Sequence, residues 1–176
     1  MFKIKNLAFC SLLIALATVT SFIKLFSFPF GGSVTLLSML FVVLAGYFYG
    51  PKLGIITAIV YGLLQLIIEP QIYYPMQVVM DYVLAFGALG LGSFFWKKKY
   101  GLIAGYLVGI TGRFIFCALS GYIFFAEYAW EGWSPILYTL AYNGAYIYAE
   151  AGITVVLLLL PPVRKAIMNV KQECNA

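Results

Sequence analysis

The sequence predicts an all-α integral membrane protein, a bundle of six transmembrane helices with both termini on the cytoplasmic side. Hydrophobic residues make up 64% of the 176 residues, charged residues make up 10%, and the mean hydropathy is +0.98. A soluble domain has roughly 25% charged residues, so this chain could not cover a water-exposed surface. At about 20 residues per crossing, the chain has room for about six helices with short connections. Alternating strands are absent from the pattern, which disfavours an outer-membrane barrel.

The apolar runs break at short stretches of Gly, Pro and charged residues, which delimit the expected helices. The predicted helices are 5–27, 34–49, 53–69, 75–96, 101–124 and 135–163. The second and third are short, which fits either tilted spans or partly re-entrant segments. The first apolar run is too long for a signal peptide, has no small-residue cleavage site and precedes further spans, so it is predicted to remain as helix 1. Residues 1–176 are expected to form one transmembrane substrate-binding domain.

Basic residues sort to one end of the predicted bundle. With the N-terminus in the cytoplasm, the inner ends carry nine of the eleven Lys and Arg residues: Lys3, Lys5, Lys52, Lys97, Lys98, Lys99, Arg164, Lys165 and Lys171. The outer loops carry Glu69, Glu127 and Glu131 and no basic residue. The positive-inside rule therefore predicts that both termini are cytoplasmic. Basic loops facing an anionic leaflet explain the net charge of +5, so no nucleic-acid partner is expected.

Several catalytic and metal-binding patterns are missing from the sequence. There is no His, and Cys10, Cys117 and Cys174 show no C-x-x-C spacing, so a zinc site is hard to assemble. There is also no P-loop, no H-E-x-x-H and no G-x-S-x-G motif. We therefore predict that the chain is not an enzyme and needs no cofactor or metal. Any energised transport must draw on a partner or an ion gradient.

Three charged residues stand out because they lie away from the ends of the predicted spans, where a charge is expensive unless it is paired or functional. Asp81 is expected to contact a ligand, because a carboxylate in an outward-facing apolar site suits a cation or a donor-rich heterocycle. Arg113 and Glu150 fit either a structural ion pair, which is the favoured interpretation, or ligand contacts. Their estimated depths differ by roughly 6–8 Å, a gap that an Arg side chain can span.

Helical spacing gathers further polar and aromatic residues on shared faces of three helices. These faces are Tyr74, Gln77 and Asp81 in helix 4, Arg113, Cys117 and Ser120 in helix 5, and Tyr138, Tyr142 or Asn143, Tyr146 and Glu150 in helix 6. Asp81, Tyr138 and Asn143 are expected at a similar shallow depth on the outer side, which predicts a pocket open to the outside and not a continuous pore. An aromatic cluster that includes Trp133 lies in or beside the longest outer loop. It fits either an interfacial belt or a lid that stacks on a planar ligand.

Four segments spread along nearly the whole chain carry a family-like pattern. They are Gly31-Gly32-Ser33-Val34-Thr35-Leu36, Gln77-x-x-x-Asp81-Tyr82-x-Leu84-Ala85-Phe86, Ser120-Gly121-x-x-Phe124-Phe125-x-x-Tyr128-Ala129-x-x-Gly132-Trp133 and Tyr138-x-x-x-x-Asn143-Gly144-x-Tyr146. In this order they resemble the ThiT (YuaJ) family, the thiamine-binding S-components of energy-coupling factor (ECF) transporters. The resemblance implies six helices in the prokaryotic plasma membrane and an extracellular-side pocket capped by the loop between helices 1 and 2. It also implies a separate coupling subunit with two cytosolic ATPases.

The resemblance assigns roles to four matching positions. Asp81 falls where the family has an acidic residue that hydrogen-bonds the aminopyrimidine of thiamine, and Tyr82 follows it as in the family. Tyr138 and Asn143 fall on positions that line the thiamine pocket. These assignments imply that the four residues contact the substrate.

Three positions depart from the family pattern. Phe125 occupies the position at which a characterised relative has a Trp that stacks on the substrate. Cys117 occupies a position at which the family often has a His in the pocket. Gly32 or Ser33 occupies the position at which one relative has a Trp in the capping loop. The departures bear on the exact substrate and on the affinity. With residues from the polar faces and the aromatic loop added, the candidate substrate-binding residues are Asp81, Tyr82, Tyr138, Asn143, Phe125, Cys117, Ser33, Gln77, Tyr74 and Trp133.

The resemblance also implies that helix 1 docks the coupling subunit through small residues. Here Ala8, Ser11 and Ala15 form a small-residue face, which suits either such docking or packing within the bundle. Thiamine capture by an S-component is the expected function. The alternatives are an S-component for another heterocycle, such as a pyrimidine precursor or another vitamin, and a stand-alone channel or secondary transporter. A membrane enzyme is disfavoured by the missing motifs.

Overall fold

Apolar helices make up most of the fold in the computed structural model, which describes residues 3–175. The helices are α1 Ile4–Ser21, α2 Ser38–Tyr49, α3 Pro51–Ile68, α4 Pro75–Phe95, α5 Gly101–Phe124, α6 Pro135–Leu159 and α7 Pro161–Asn175. Five of them, α1 and α3 to α6, are long and apolar enough to cross a membrane. Helices α3, α4, α6 and α7 each begin with a proline, which is preorganised for the first helical position. The predicted all-α membrane bundle is confirmed.

The short helix α2 lies inside the bundle. Ten of its 12 residues are buried, and it packs against α1, α3, α5, α7 and the end of α4. At a rise of about 1.5 Å per residue it spans about 18 Å, less than the hydrocarbon core of a bilayer. A helix that is apolar all round must be buried, and here the other helices bury it. Helix α3, at 18 residues, is long enough to cross.

Helix α4 contains a widened turn where it crosses α3. Residues Val79–Leu84 form a π-helical turn, a feature that is frequent at functional sites. The turn carries Asp81 and presses the backbone carbonyl of Tyr82 against Gly62 of α3, where an added Cβ would also lie 2.8 Å from Cβ of Phe86. A glycine at position 62 is therefore required for the contact that positions Asp81.

The ends of helices 1 and 2 that face each other were predicted wrongly. Helix α1 stops at Ser21, and the chain forms an antiparallel hairpin of β1 (Lys24–Ser27) and β2 (Ser33–Thr35) before α2 begins at Ser38. The amide of Phe28 donates to the carbonyl of Gly32 across the turn at 2.7 Å. Because the apolar run continues without a helix breaker up to position 29, the sequence pattern could not separate the strand from the helix.

The predicted helix 135–163 is really two helices. Helix α6 ends at Leu159, and α7 begins at Pro161 because two consecutive prolines remove backbone donors and break the ladder. The apolar side of α7 packs on the bundle through residues spaced three and four apart: Val163, Ile167, Val170 and Cys174. Lys171 Nζ lies 3.6 Å from the ring centroid of Tyr47 and donates to the carbonyl of Trp96. Helix α7 therefore closes the bundle where α2 and α4 end.

The carboxylate of Glu150, in α6, holds the start of α2. Its Oε2 accepts from the Thr35 amide at 3.1 Å and from Thr35 Oγ1 at 2.6 Å. Its Oε1 accepts from Ser38 Oγ at 3.2 Å and from the Met39 amide at 3.0 Å. A helix N-terminus offers unpaired amides and partial positive charge, so a buried carboxylate is stable there.

The favoured prediction, an ion pair between Arg113 and Glu150, is wrong. Within residues 3–175 the recorded ion pair is Lys24 with Glu69, and the acceptor atoms of Glu150 are engaged by the start of α2. The guanidinium of Arg113 lies over the ring of Phe86, 4.1 Å from its centroid. The dipole of α2 and its backbone amides stabilise the Glu150 carboxylate, in place of the Arg113 cation that was expected from the sequence.

We call the hydrogen bonds from Thr35, Ser38 and Met39 to the Glu150 carboxylate the anchor of α2, and replacement of Glu150 tests it. Glu150→Gln presents an NH2 group to donors, so at least one buried donor loses its acceptor, and we expect a loss of at least about 2 kcal/mol of stability. Arg113→Met should cost less than about 1 kcal/mol, because only the contact with Phe86 is lost. Thermal unfolding in detergent measures both.

The matched control for this pair of variants is Gly152→Ala, also in α6, whose added Cβ meets nothing within 4 Å and which should not lower the melting temperature, because Ala is the better helix former. If Glu150→Gln and Arg113→Met lower the melting temperature equally, and the double variant lowers it no further, the two residues form an ion pair after all. That outcome would contradict the anchor.

Candidate functional site

A cavity of about 470 Å³ lies beneath the hairpin. Its wall is built from the hairpin, the end of α1, the start of α2, the end of α3, the first half of α4, the last part of α5 and the first part of α6. These helix ends are the ones that the predicted orientation places on the outer side. The volume falls in the range of roughly 300–1,000 Å³ typical of small-molecule pockets.

Asp81 is positioned by Gln77, one turn earlier in α4. Gln77 Nε2 donates to Asp81 Oδ2 at 2.6 Å and to the carbonyl of Gln71 at 3.2 Å. Gln77 Oε1 accepts from the amide of Tyr73 at 3.3 Å, so both ends of its amide group are engaged. Asp81 itself is half-buried and lines the cavity. A carboxylate held in this way offers a fixed acceptor to a ligand.

Tyr82 holds the loop that connects α3 to α4. Its hydroxyl donates to the carbonyl of Glu69 and accepts from the amide of Gln71, both at 2.8 Å. The residue is buried and reaches the cavity wall. Tyr82 therefore shapes one side of the cavity by fixing the 69–74 connection.

The wall formed by α6 is a row of aromatic and amide side chains. Asn143 Nδ2 donates to the carbonyl of Thr139 at 2.9 Å, and Asn143 Oδ1 accepts from Tyr146 hydroxyl at 2.9 Å. Tyr138 is 5% exposed, and its ring centroid lies 5.4 Å from that of Trp130 and 5.9 Å from that of Tyr142. Interlocked side chains of this kind keep the wall rigid.

The wall formed by α5 contributes polar groups with unused hydrogen-bonding capacity. Arg113, Cys117 and Ser120 all line the cavity, as their helical spacing predicted. Among the described residues, Arg113 Nε and Ser120 Oγ are buried without a hydrogen-bond partner. Buried polar groups nearly always find a partner, so these two atoms are available to a bound molecule or water.

An aromatic corner forms where α5 ends. The ring centroid of Phe125 lies 5.3 Å from that of Tyr73, edge to face, and 6.1 Å from that of Tyr128. All three residues line the cavity. Flat aromatic surfaces at this corner suit a planar ligand.

The hairpin covers the cavity through unequal contacts. Tyr142 hydroxyl donates to the carbonyl of Pro29 and accepts from the amide of Gly32 at 3.1 Å. At the other edge, Lys24 Nζ lies 2.7 Å from Glu69 Oε1, and the two side chains are 35% and 40% exposed. The contact with α6 is therefore partly buried, whereas the contact with α3 is an exposed ion pair.

Eight of the ten candidate residues line this cavity: Asp81, Tyr82, Tyr138, Asn143, Phe125, Cys117, Ser33 and Gln77. Two lie outside the wall. Tyr74 is 45% exposed and stacks on Phe124 at 5.4 Å, while Trp133 is 45% exposed and packs edge to face on Trp130 at 5.1 Å. Both stay predictions as substrate contacts.

Sequence reasoning missed Lys24 in β1 and the wall residues that lie in the connection between α3 and α4, namely Glu69, Gln71 and Tyr73. Helical spacing cannot place a loop residue, so no periodic signal identified them. The only available cue was the Glu69-Pro70 break, which located the connection but not its contacts. Within residues 3–175, no group of three or more His, Cys, Asp or Glu residues is arranged to hold a metal ion.

The family model described as thiamine transporter protein (Thia_YuaJ) matches residues 7–170, nearly the whole chain. The chain belongs to this family of thiamine transporters. It is therefore a transporter and not an enzyme, and a multi-pass protein of the plasma membrane.

Two relatives illustrate the similarity. The chain is 28% identical over 148 residues to the thiamine transporter ThiT of Bacillus subtilis (strain 168), covering 76% of this chain and 77% of the relative. A solved structure of ThiT from Listeria monocytogenes superposes with a TM-score of 0.74 at 24% identity, covering 89% of this chain and 94% of that chain. The second likeness establishes the same fold.

The exposed ion pair at the cavity rim should limit access to Cys117, which lines the cavity and is 7% exposed. In a Cys10→Ser, Cys174→Ser background, Glu69→Gln should speed alkylation of Cys117 by a small polar thiol reagent. We expect an increase of about 1.5- to 5-fold, because an exposed pair contributes about 0.2–1 kcal/mol.

Mass spectrometry of the time course measures the alkylation rate. Glu127→Gln is the matched control, since Glu127 is an exposed carboxylate outside the cavity wall, and its rate should equal that of the background. Equal rates for all three proteins would show that the ion pair does not restrain the rim.

Proposed function

We propose that this chain is the substrate-binding subunit, or S-component, of an ECF-type vitamin uptake transporter, and that it captures thiamine from the outer side of the membrane. The observation that carries the proposal is the Asp81 carboxylate, fixed by Gln77 in the wall of a cavity of about 470 Å³. Membership of the thiamine transporter family supports it, as does the likeness to the ThiT proteins.

The chemistry of the cavity wall suits both rings of thiamine. Its aminopyrimidine offers hydrogen-bond donors, and its thiazolium ring carries a permanent positive charge. The Asp81 carboxylate can accept from the first or attract the second, since a charge-assisted contact is strong in a low dielectric. Tyr138 and Asn143 supply polar atoms on the opposite wall, and Phe125 supplies an aromatic face.

The departures from the family pattern fall inside this cavity. A thiol at Cys117 replaces an imidazole, and a smaller ring at Phe125 replaces an indole. Both changes weaken hydrogen bonding and stacking, so recognition in this chain depends more on Asp81. An S-component for a related heterocycle is the competing function, and binding measurements with thiamine and with its separate pyrimidine half distinguish the two.

Coupling to a separate ATPase module fits two features of the chain. The sequence contains no P-loop, so the chain has no such site of its own for ATP. The small-residue face of α1, Ala8, Ser11 and Ala15, is exposed in the structure and is free to dock a coupling subunit. Co-purification with a coupling subunit and two ATPases would support this assignment, and solitary transport in proteoliposomes would contradict it.

Asp81→Asn should weaken thiamine binding at least about tenfold, because loss of a charge-assisted hydrogen bond costs roughly 1.5–3 kcal/mol. Titration calorimetry on the detergent-purified protein measures the dissociation constant. Glu127→Gln removes an exposed charge outside the cavity and should bind as the wild type does. Unchanged affinity in a folded Asp81→Asn protein would place the binding site elsewhere.

Phe125 provides a graded test of stacking. Phe125→Ala should reduce thiamine affinity, whereas Phe125→Trp should hold or increase it, because Trp is the stronger partner for a cationic ring. Phe94→Ala is the matched control, since Phe94 is exposed and lies outside the cavity wall, and it should bind thiamine as the wild type does. If neither change at Phe125 alters the affinity for thiamine, the ring does not contact the ligand.

A further inference from the structure

A second and much smaller cleft, of about 20 Å³, lies at the other end of the bundle. It is lined by Tyr47, Lys99, Tyr100, Leu102, Ile103, Leu158, Arg164 and Met168. These residues come from the end of α2, the α4–α5 connection, the start of α5, the end of α6 and the first turns of α7. Helices α2, α5 and α6 line both the cleft and the main cavity, and each contributes one end to the cleft and the other end to the cavity.

Two cations face one aromatic ring in this cleft. Lys99 Nζ lies 5.6 Å and Arg164 Cζ 5.7 Å from the ring centroid of Tyr100. The lining contains no Asp or Glu, and within residues 3–175 neither cation forms a recorded ion pair. Because both cations lie within 5.7 Å of one ring centroid, an anion near this ring would be attracted by both.

The surroundings of the cations distinguish a lipid from a free ion. Leu102 and Leu158 are buried at the base of the cleft, whereas Ile103 is partly exposed and Met168 is exposed, so the charged groups lie beside an accessible apolar surface. Leu159 and Leu160 continue this surface at the end of α6, with exposed fractions of 64% and 44%. A phosphate ester that carries acyl chains satisfies both the cations and the apolar surface, whereas inorganic phosphate satisfies only the cations.

We propose that the phosphate headgroup of an anionic phospholipid binds at the mouth of this cleft, between Lys99 and Arg164, with the acyl chains along the apolar surface at the end of α6. The site is independent of the thiamine cavity. Basic pockets between helices at the cytoplasmic side are a known way of holding such headgroups.

The experiment titrates phosphatidylglycerol or phosphatidylcholine into the detergent-purified full chain and counts bound lipid by native mass spectrometry. The wild type should retain phosphatidylglycerol in preference to phosphatidylcholine. Lys99→Gln with Arg164→Gln should weaken retention at least about tenfold, because each cation near a headgroup contributes about fivefold. Lys99→Gln alone, a change at an exposed loop residue, should weaken it about fivefold and serves if the double variant does not fold.

The matched control is Lys97→Gln with Lys165→Gln, which removes the same charge from exposed neighbours outside the cleft. It should retain phosphatidylglycerol within about threefold of the wild type, since general attraction to the surface is weaker than a built site. Equal losses in the two double variants, or equal retention of the two lipids, would overturn the proposal. Displacement of phosphatidylglycerol by inorganic phosphate at equal concentration would show a free-phosphate site and would also overturn it.

Discussion

The buried carboxylate of Glu150 is the constraint on which the cavity depends. It accepts four hydrogen bonds from Thr35, Ser38 and Met39, and thereby joins α6 to the end of the hairpin and to the start of α2. Between these donors Leu37 adopts a left-handed conformation (φ 64°), which a branched side chain adopts only under external constraint. The anchor provides that constraint, so the position of the cavity roof is set by α6.

The anchor also divides the roles of the charged residues in the cavity wall. Glu150 is satisfied by backbone and hydroxyl donors and has little capacity left for a ligand. Arg113, freed from the expected pair, retains an unpartnered Nε beside Cys117. Asp81, oriented by Gln77, is then the carboxylate available to a cationic or donor-rich molecule. This arrangement predicts that a bound molecule is recognised mainly at the α4 side of the cavity.

The sequence predicted what depends on composition and local spacing. Spans 75–96 and 101–124 agree with α4 and α5 within one residue at each end, and the three polar faces meet around one cavity. Long-range partners were not predictable, because the donors to Glu150 lie more than 110 residues earlier in the chain. The separate helix α7 was missed because the predicted sixth helix was carried past Pro161 and Pro162 to residue 163, although the apolar residues of α7 recur at helical spacing.

The two edges of the hairpin differ in strength, and this difference determines where the cavity can open. At the Thr35 edge, separation would leave buried amides and a carboxylate without partners, at a cost of about 1–3 kcal/mol for each group. At the Lys24 edge, separation breaks an exposed ion pair that contributes about 0.2–1 kcal/mol. We therefore expect the hairpin to open by lifting β1 away from Glu69 while the end of β2 stays fixed to α6. On this argument a ligand would enter past the 69–74 connection, next to Gln71 and the Asp81 side of the cavity.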